Sequence, residues 1–431
     1  MSGRGLAVAT SALALVAVGS GAEASSARPI TIGVLADCVS AYAPYYTQSL
    51  AGVELPLLER GAKLVAGTDP TRGLTGALIA GHPIRLVFGC TNGEPLSTLA
   101  EARRLVEALG ADIVIGPTSA DEEPALQEYA RRRPEIAFVN GSSAGLLLDP
   151  APNFFTFHAD GAQWVAGLGS YAYHRLGWRR VVVIVNTDNF DWLQSAGFEA
   201  EFCSLGGAIA KRIWFFPATD FSGVLGQIPR RHVDGFFVQS YTDVEKSLVQ
   251  HYPGMRGDSA RRVLGGALSE PGYGYWANVR GQVIASPNGT PRARAAFEAR
   301  LYRALPEINR ARLEGDIFAP DYYGAMAAAL HALDTVKGDL SQREQRFQAA
   351  LARTQLDTPS GHVSLDADHQ AITRNYLWRI NKPDGSDKTL IRVITGVDHT
   401  FGGYFTKHDP APSELTPACR RGHVPPWARS G

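Results

Sequence analysis

Three short stretches carry most of the side chains suited to holding a small molecule. Residues 37–42, 116–121 and 140–144 each follow an apolar run of strand character. The second offers Thr118 and Ser119 ahead of a helical stretch, and the third offers Asn140, Ser142 and Ser143. Hydroxyls and free backbone N–H groups at a helix start suit a carboxylate or carbonyl. The same residue types also serve as N-caps and turn formers. Tyr42, in the first stretch, is placed to cover an apolar ligand face. Further along, Asp188, Phe190 and Asp191 share one loop, Ser240 and Tyr241 follow another strand, and Glu270 follows Ser269. A ligand ammonium would need a carboxylate, which Asp188 or Glu270 could supply. The run Asp121-Glu122-Glu123 favours the N-terminus of the next helix or repels anionic ligands.

A second chemistry is spelled by Gly141-Ser142-Ser143-Ala144-Gly145, formally the G-x-S-x-G of a hydrolase nucleophile elbow with Ser143 as nucleophile. That motif needs a helix directly after it, and Pro150 and Pro152 cut any such helix short. No H-E-x-x-H, Walker loop or dinucleotide G-x-G-x-x-G is present, and the eleven histidines are scattered. No metal and no cofactor are therefore expected.

The elements that must position these residues alternate. Strands are expected over 30–36, 84–88, 113–115 and 136–139, with helices over about 45–63, 96–109 and 124–132, the first kinked by Pro56. After the break at Asp149-Pro150-Ala151-Pro152, a second series follows. It has helices over 163–176 and 192–205 and strands over 181–185, 208–215, 235–238 and 263–268. Continuous apolar strands alternating with helices belong to doubly wound parallel sheets. The remaining elements, with late strands over 282–285, 362–365 and 376–380, are too few for a third core and should return to complete the two units. From Tyr404 on, Pro and charge predict an irregular tail.

The chain has 431 residues, 42 Lys+Arg against 42 Asp+Glu, and 45% hydrophobic content, so it is globular and carries no field to collect nucleic acid. Residues 1–24 read as a signal peptide: Arg4, an apolar stretch over 6–18, then Ala22-Glu23-Ala24 as the cleavage site. That stretch is too short to span a bilayer, which takes about 20 apolar residues. Export in soluble form, without direct membrane insertion, is the expectation. Four cysteines suit an oxidising compartment, and none is in C-x-x-C spacing. Three connectivities are open. Cys38 and Cys90 each follow an early strand and could meet at one sheet edge, in which case Cys203 with Cys419 would fasten the tail.

Several patterns in this order resemble the periplasmic binding proteins of the leucine/isoleucine/valine type. They include the opening strand 30–36, Arg103-Arg-Leu-Val-Glu with Ala111-Asp-Ile-Val-Ile-Gly-Pro, and Leu176-Gly-Trp-Arg-Arg-Val-Val-Val-Ile. They also include Gly197-Phe-Glu-Ala-Glu-Phe-Cys-Ser-Leu-Gly-Gly with Thr219-Asp-Phe-Ser, and Pro359-Ser-Gly-His-Val-Ser-Leu-Asp. The resemblance spans about Arg28 to Ile380. It implies two Rossmann-like α/β lobes joined by a three-strand hinge, with the ligand cleft between them. It divides the chain into lobe one (28–150 plus about 287–356), lobe two (151–286 plus about 357–403) and a tail, 404–431. It implies capture of a small polar solute, an amino acid first or a related carboxylate or amide, for delivery to a membrane ABC transporter permease. The same fold also serves soluble sensors of signalling receptors. By this resemblance Ser119 and Ser143 match positions that hold a ligand carboxylate. Asp188-Asn-Phe-Asp-Trp matches a region where Phe190 contacts ligand and where Asp191 replaces the usual glycine.

Overall fold

The computed structural model describes residues 1, 27–65, 67, 69–216, 221–229, 231–240, 259–266, 280–306, 308, 318–409, 413, 415–416 and 417–430. The signal-peptide cleavage site, Tyr241 and Glu270 lie outside these residues.

The first sheet is built around β1 (Ile30–Asp37), whose eight residues are all buried. A strand covered on both faces must be apolar throughout, and Ile-Thr-Ile-Gly-Val-Leu-Ala meets that need. The short β2 (Lys63–Leu64) and β3 (Leu74–Thr75) form a separate ribbon. Next to β1 run β5 (His82–Thr91) on one side and β6 (Ile113–Ile115) on the other, both parallel to it. Beyond β6 lie β7 (Ala137–Val139) and β8 (Phe154–Phe155), also parallel, and β4 (Leu78–Ile79) adds an antiparallel edge to β5. The order is β4-β5-β1-β6-β7-β8.

Helix α1 (Tyr46–Leu58) covers this sheet and crosses the later helix Phe318–Thr335 so closely that a Cβ on Gly52 would strike the carbonyl of Ala319. It ends at Leu58, five residues short of the expected end, with Pro56 in its last turn. Helix α2 (Pro95–Arg103) passes into a wider turn over Arg104–Ala108. Helix α3 (Glu123–Arg132) follows the loop after β6.

The second sheet has the order β10-β9-β11-β12, with β9 (Arg180–Asn186), β10 (Ala208–Phe215), β11 (Gly235–Gln239) and β12 (Val263–Gly265) all parallel. Helices α4 (Leu168–His174) and α5 (Asn189–Ser204) pack on it. α5 is buried along most of its length, and Gly197 lets it sit against the backbone of Ala162.

A third, antiparallel sheet links the two. It holds β13 (Val283–Ser286), β14 (Leu356–Thr358), β15 (Gly361–Leu365), β16 (Ala371–Ile380) and β17 (Lys388–Val397). β16 is twice as long as the expected strand, and β17 has no counterpart in the sequence reading.

Two large cores result. One joins β1, α1 and the helix Phe318–Thr335. The other joins α4, α5, β9 and the inner residues of β13, β16 and β17. The chain passes between them three times: near 157–162, after β13, and between Ala371 and Leu377. The sequence reading gave about 357–403 wholly to lobe two. In the structure Val363 and Ala371 pack in the first core, because the β14–β15 hairpin leans on the helix Phe318–Thr335, where Gly324 leaves room for Thr358. Among the described residues beyond β17 the chain is irregular apart from a short 3-10 turn at Pro426–Ala428, yet Phe401, Tyr404, Phe405 and Trp427 are buried in the second core.

Both cysteine pairs form disulfides, Cys38–Cys90 and Cys203–Cys419, with Cα atoms 5.4 and 5.1 Å apart. The first joins the ends of neighbouring parallel strands, and the second ties the tail to α5.

Candidate functional site

In an open parallel sheet, loops at the carboxyl ends of the strands form the binding edge. The first lobe brings residues 38–42, 116–121 and 140–144 together at that edge. Thr118 is buried, and its hydroxyl is fully used. It accepts from the Asp37 backbone N–H (3.2 Å) and lies 2.9 Å from the Tyr322 hydroxyl. Tyr322 donates its own proton to the Leu35 carbonyl (2.5 Å), so Thr118 must donate to Tyr322. The Tyr322 ring also lies where any Cβ on Gly141 would fall. Ser119 accepts from the Asp121 N–H (3.2 Å), and its own N–H donates to the Glu122 carboxylate (2.9 Å). Ser142 reaches the Thr118 carbonyl at 3.4 Å. Tyr42 stands at the rim, its ring edge-on to Phe318 at 5.5 Å.

Beneath these loops sits Glu123, fully buried. The Ser143 hydroxyl donates to one of its oxygens (2.7 Å) and the Asn140 amide to the other (3.0 Å). Asn140 also accepts from the Ser143 N–H (2.9 Å) and donates to the Ser143 carbonyl (2.9 Å), closing the loop on itself. Burial outweighs these donors and pushes the Glu123 carboxyl up to about 8. Glu122, also buried, is raised by desolvation despite its bonds to the Ser119 N–H and the Thr98 hydroxyl (2.7 Å). Sequence reasoning marked this acidic run but not its role. The signal was a pair of adjacent glutamates at a helix start, one of which has to point inward.

The second lobe presents α5 by its first turn. Asp188 caps the helix, accepting from the Asp191 N–H at 2.8 Å. Asp191 is buried over the ends of β9 and β11, where Gln239 donates to it at 2.9 Å. Both carboxyls are raised, first by burial. The next cause for Asp191 is the charge of Asp188, and the largest charge acting on Asp188 is that of Asp121 from the opposite lobe. The two lobes face each other here, lining one cavity with Ala120 and Glu123 on one side and Asn189, Trp192 and Leu193 on the other. Phe190 is half-buried, edge-on to Trp164 at 6.1 Å.

The passages between the lobes are pinned by amides that the sequence reading missed. Asn375 donates to the carbonyls of Gln163, Trp164 and Ala166 (2.8–3.0 Å), and Gln163 donates to those of Ala371 and Val397 (both 2.8 Å). Each amide sits opposite the chain it holds, a long-range pairing with no local sequence signature.

A family model described as periplasmic binding protein matches residues 29–387. The chain belongs to this family. Among solved structures, an ABC transporter substrate-binding protein from Sphaerobacter thermophilus is 21% identical, with 86% of this chain and 99% of that one covered and a TM-score of 0.70. A leucine binding protein, LivK, from Thermotoga maritima is 17% identical, covers 85% and 99%, and has a TM-score of 0.63. A solute binding protein of an ABC transporter from Rhodopseudomonas palustris BisB5, in complex with 3,4-dihydroxy benzoic acid, is 17% identical, covers 86% and 98%, and has a TM-score of 0.68. At these identities the likeness shows the fold. No curated protein matches the chain.

Periplasmic binding proteins of this kind bind solutes and are not enzymes. The hydrolase alternative also fails locally. The chain after Ser143 is irregular rather than helical, and the Ser143 hydroxyl points at a carboxylate inside the protein. Among the described residues, no group of His, Cys, Asp or Glu is arranged to hold a metal, and no helix is long and apolar enough to cross a membrane. A cavity of about 250 Å³ lies beside the cleft, between Leu146–Leu148 of the first lobe, Trp192 of α5, and Phe405 and Lys407 of the tail.

Proposed function

We propose that this periplasmic binding protein is the solute-capturing component of an ABC importer, exported after cleavage of residues 1–24. It closes its lobes on a small polar solute and delivers it to a membrane permease. The observation that carries this reading is the convergence of loops from the strand ends of both lobes, with Ala120 and Glu123 of one and Asn189 and Trp192 of the other lining a shared cavity. Hinge closure around a ligand is an established repertoire. The residues facing the solute are Tyr42, Ser119, Ser142, Asp188 and Phe190. Thr118, Asn140 and Ser143 shape the wall from behind, since their polar atoms bond within the protein. Tyr241 and Glu270 belong to the same proposal by their place after β11 and β12. Lobe one comprises about 28–150 and about 287–371, and lobe two the rest up to 403.

Thermal unfolding against a panel of amino acids, amides, amines and aromatic acids tests it. A solute that binds only the folded state, at about a hundred times its Kd, raises stability by about 2.7 kcal/mol. Silence across the whole panel refutes capture of a solute of these classes. The panel starts from leucine and 3,4-dihydroxybenzoate, which the names of similar structures mention.

A further inference from the structure

The loop after β7 divides its leucines between the two lobes. Leu147 packs into the lobe-one core beside α2 and α3, while its neighbours Leu146 and Leu148 pack against the second core, in lobe two. The segment is fixed to lobe one at both flanks. Before it, the Ser143 N–H donates to Asn140; after it, the Asp149 carbonyl accepts from Arg131 and the Ala151 N–H donates to Gln127 (2.7 Å). The two leucines are therefore a fixed projection of lobe one onto lobe two.

Lobe two meets them with Trp192 and Leu193 of α5 and with Phe405 of the tail, all lining one cavity with the leucines. The tail lies beyond the residues that the family model matches, yet it is held hard to lobe two. The Trp192 indole donates to the carbonyls of Ser413 (3.3 Å) and Thr416 (3.0 Å), Arg212 donates to that of Pro417 (2.7 Å), and Cys419 is bonded to Cys203 of α5. Protein interiors leave few voids larger than a water molecule. Here about 250 Å³ remains open beside the leucines, which are only half-buried. A contact this loose can part without breaking a core.

We propose that Leu146 and Leu148 form a releasable latch, seated on Trp192, Leu193 and Phe405, and that the tail, by supplying Phe405, biases the solute-free protein towards lobes held together. On the capture reading above, less of a solute's binding free energy then goes into closing the lobes, and its apparent affinity rises with the closed population.

The test is small-angle X-ray scattering of the purified protein dialysed free of solute, which needs no ligand and stands apart from the test of capture. The wild type should scatter with its lobes together, as in this structure. Leu146→Ala combined with Leu148→Ala should raise the open-to-closed ratio about tenfold, since two half-buried leucines lose most of the apolar surface that closure covers. Phe405→Ala should act in the same direction from the tail side, and both variants should show a larger radius of gyration. Gly52→Ala strains a helix crossing within lobe one and should leave the radius unchanged, which separates the latch from a general loss of stability. Thermal unfolding reports that each variant is folded. A wild type already open without solute overturns the latch, as do leucine and Phe405 variants that scatter like the wild type. Both of those results leave solute capture standing, and silence across the solute panel leaves the latch standing.

Discussion

Glu54 offers a sharp test of the electrostatics. It lies on α1 in the middle of the first core, fully buried, and neither carboxylate oxygen has a hydrogen-bond partner among the described residues. Burial, then the charge of Asp69, pushes its carboxyl up to about 9, from an ordinary value near 4.5. The folded state thus holds a proton that the unfolded chain has already released. Its contribution to stability is full below pH about 4.5 and is lost as pH rises through about 9. At about 1.4 kcal/mol per pH unit, the loss by pH 8 reaches about 5 kcal/mol. Glu54→Gln removes the titration at nearly constant size. The variant should match the wild type near pH 4.5 and exceed it by several kcal/mol at pH 8, measured by urea denaturation at both. Other raised carboxyls, among them Glu344 and Glu123, titrate in both proteins and cancel in the difference. Parallel curves for the two proteins across that range would refute the reasoning.

Asn375→Leu should cost about 3 kcal/mol, because the amide that bonds three backbone carbonyls at the passage between the lobes is lost and the Gln163 carbonyl keeps only the Ala166 N–H; thermal unfolding reads it. Cys203→Ser with Cys419→Ser should free the tail to proteolysis and lower stability by up to about 5 kcal/mol, the chain-entropy ceiling for so long a loop. Gly52→Ala should cost about 1–3 kcal/mol by forcing α1 away from the Ala319 carbonyl, and a helix-crossing defect of this kind should leave lobe two's unfolding unchanged.

The α/β architecture was legible because β1, β6, β7 and β9 are short apolar runs between helical periodicities. The disulfides were legible in part, since Cys38 and Cys90 both sit at strand ends. β17 was missed because polar residues interrupt it and only two of its ten residues, Ile394 and Val397, are buried; the Pro383-Asp384-Gly385 turn before it was the available signal. At the site, the loops were placed but the bonding was not. Ser143 reads as an open hydroxyl in sequence, and only the fold brings Glu123 from α3 beneath it. Likewise Asp191, read as a change in pocket shape, is a buried acid because Gln239 arrives from β11.

The weave of the chain has a consequence for biosynthesis. α1 leaves the ribosome early, yet the helix that covers it begins at Phe318. At about 5–20 residues per second the apolar face of α1 waits on the order of tens of seconds for its cover. A nascent chain in that condition stays unfolded and sticky, a natural client for chaperones and a ready substrate for threading through a secretion pore before either lobe can lock.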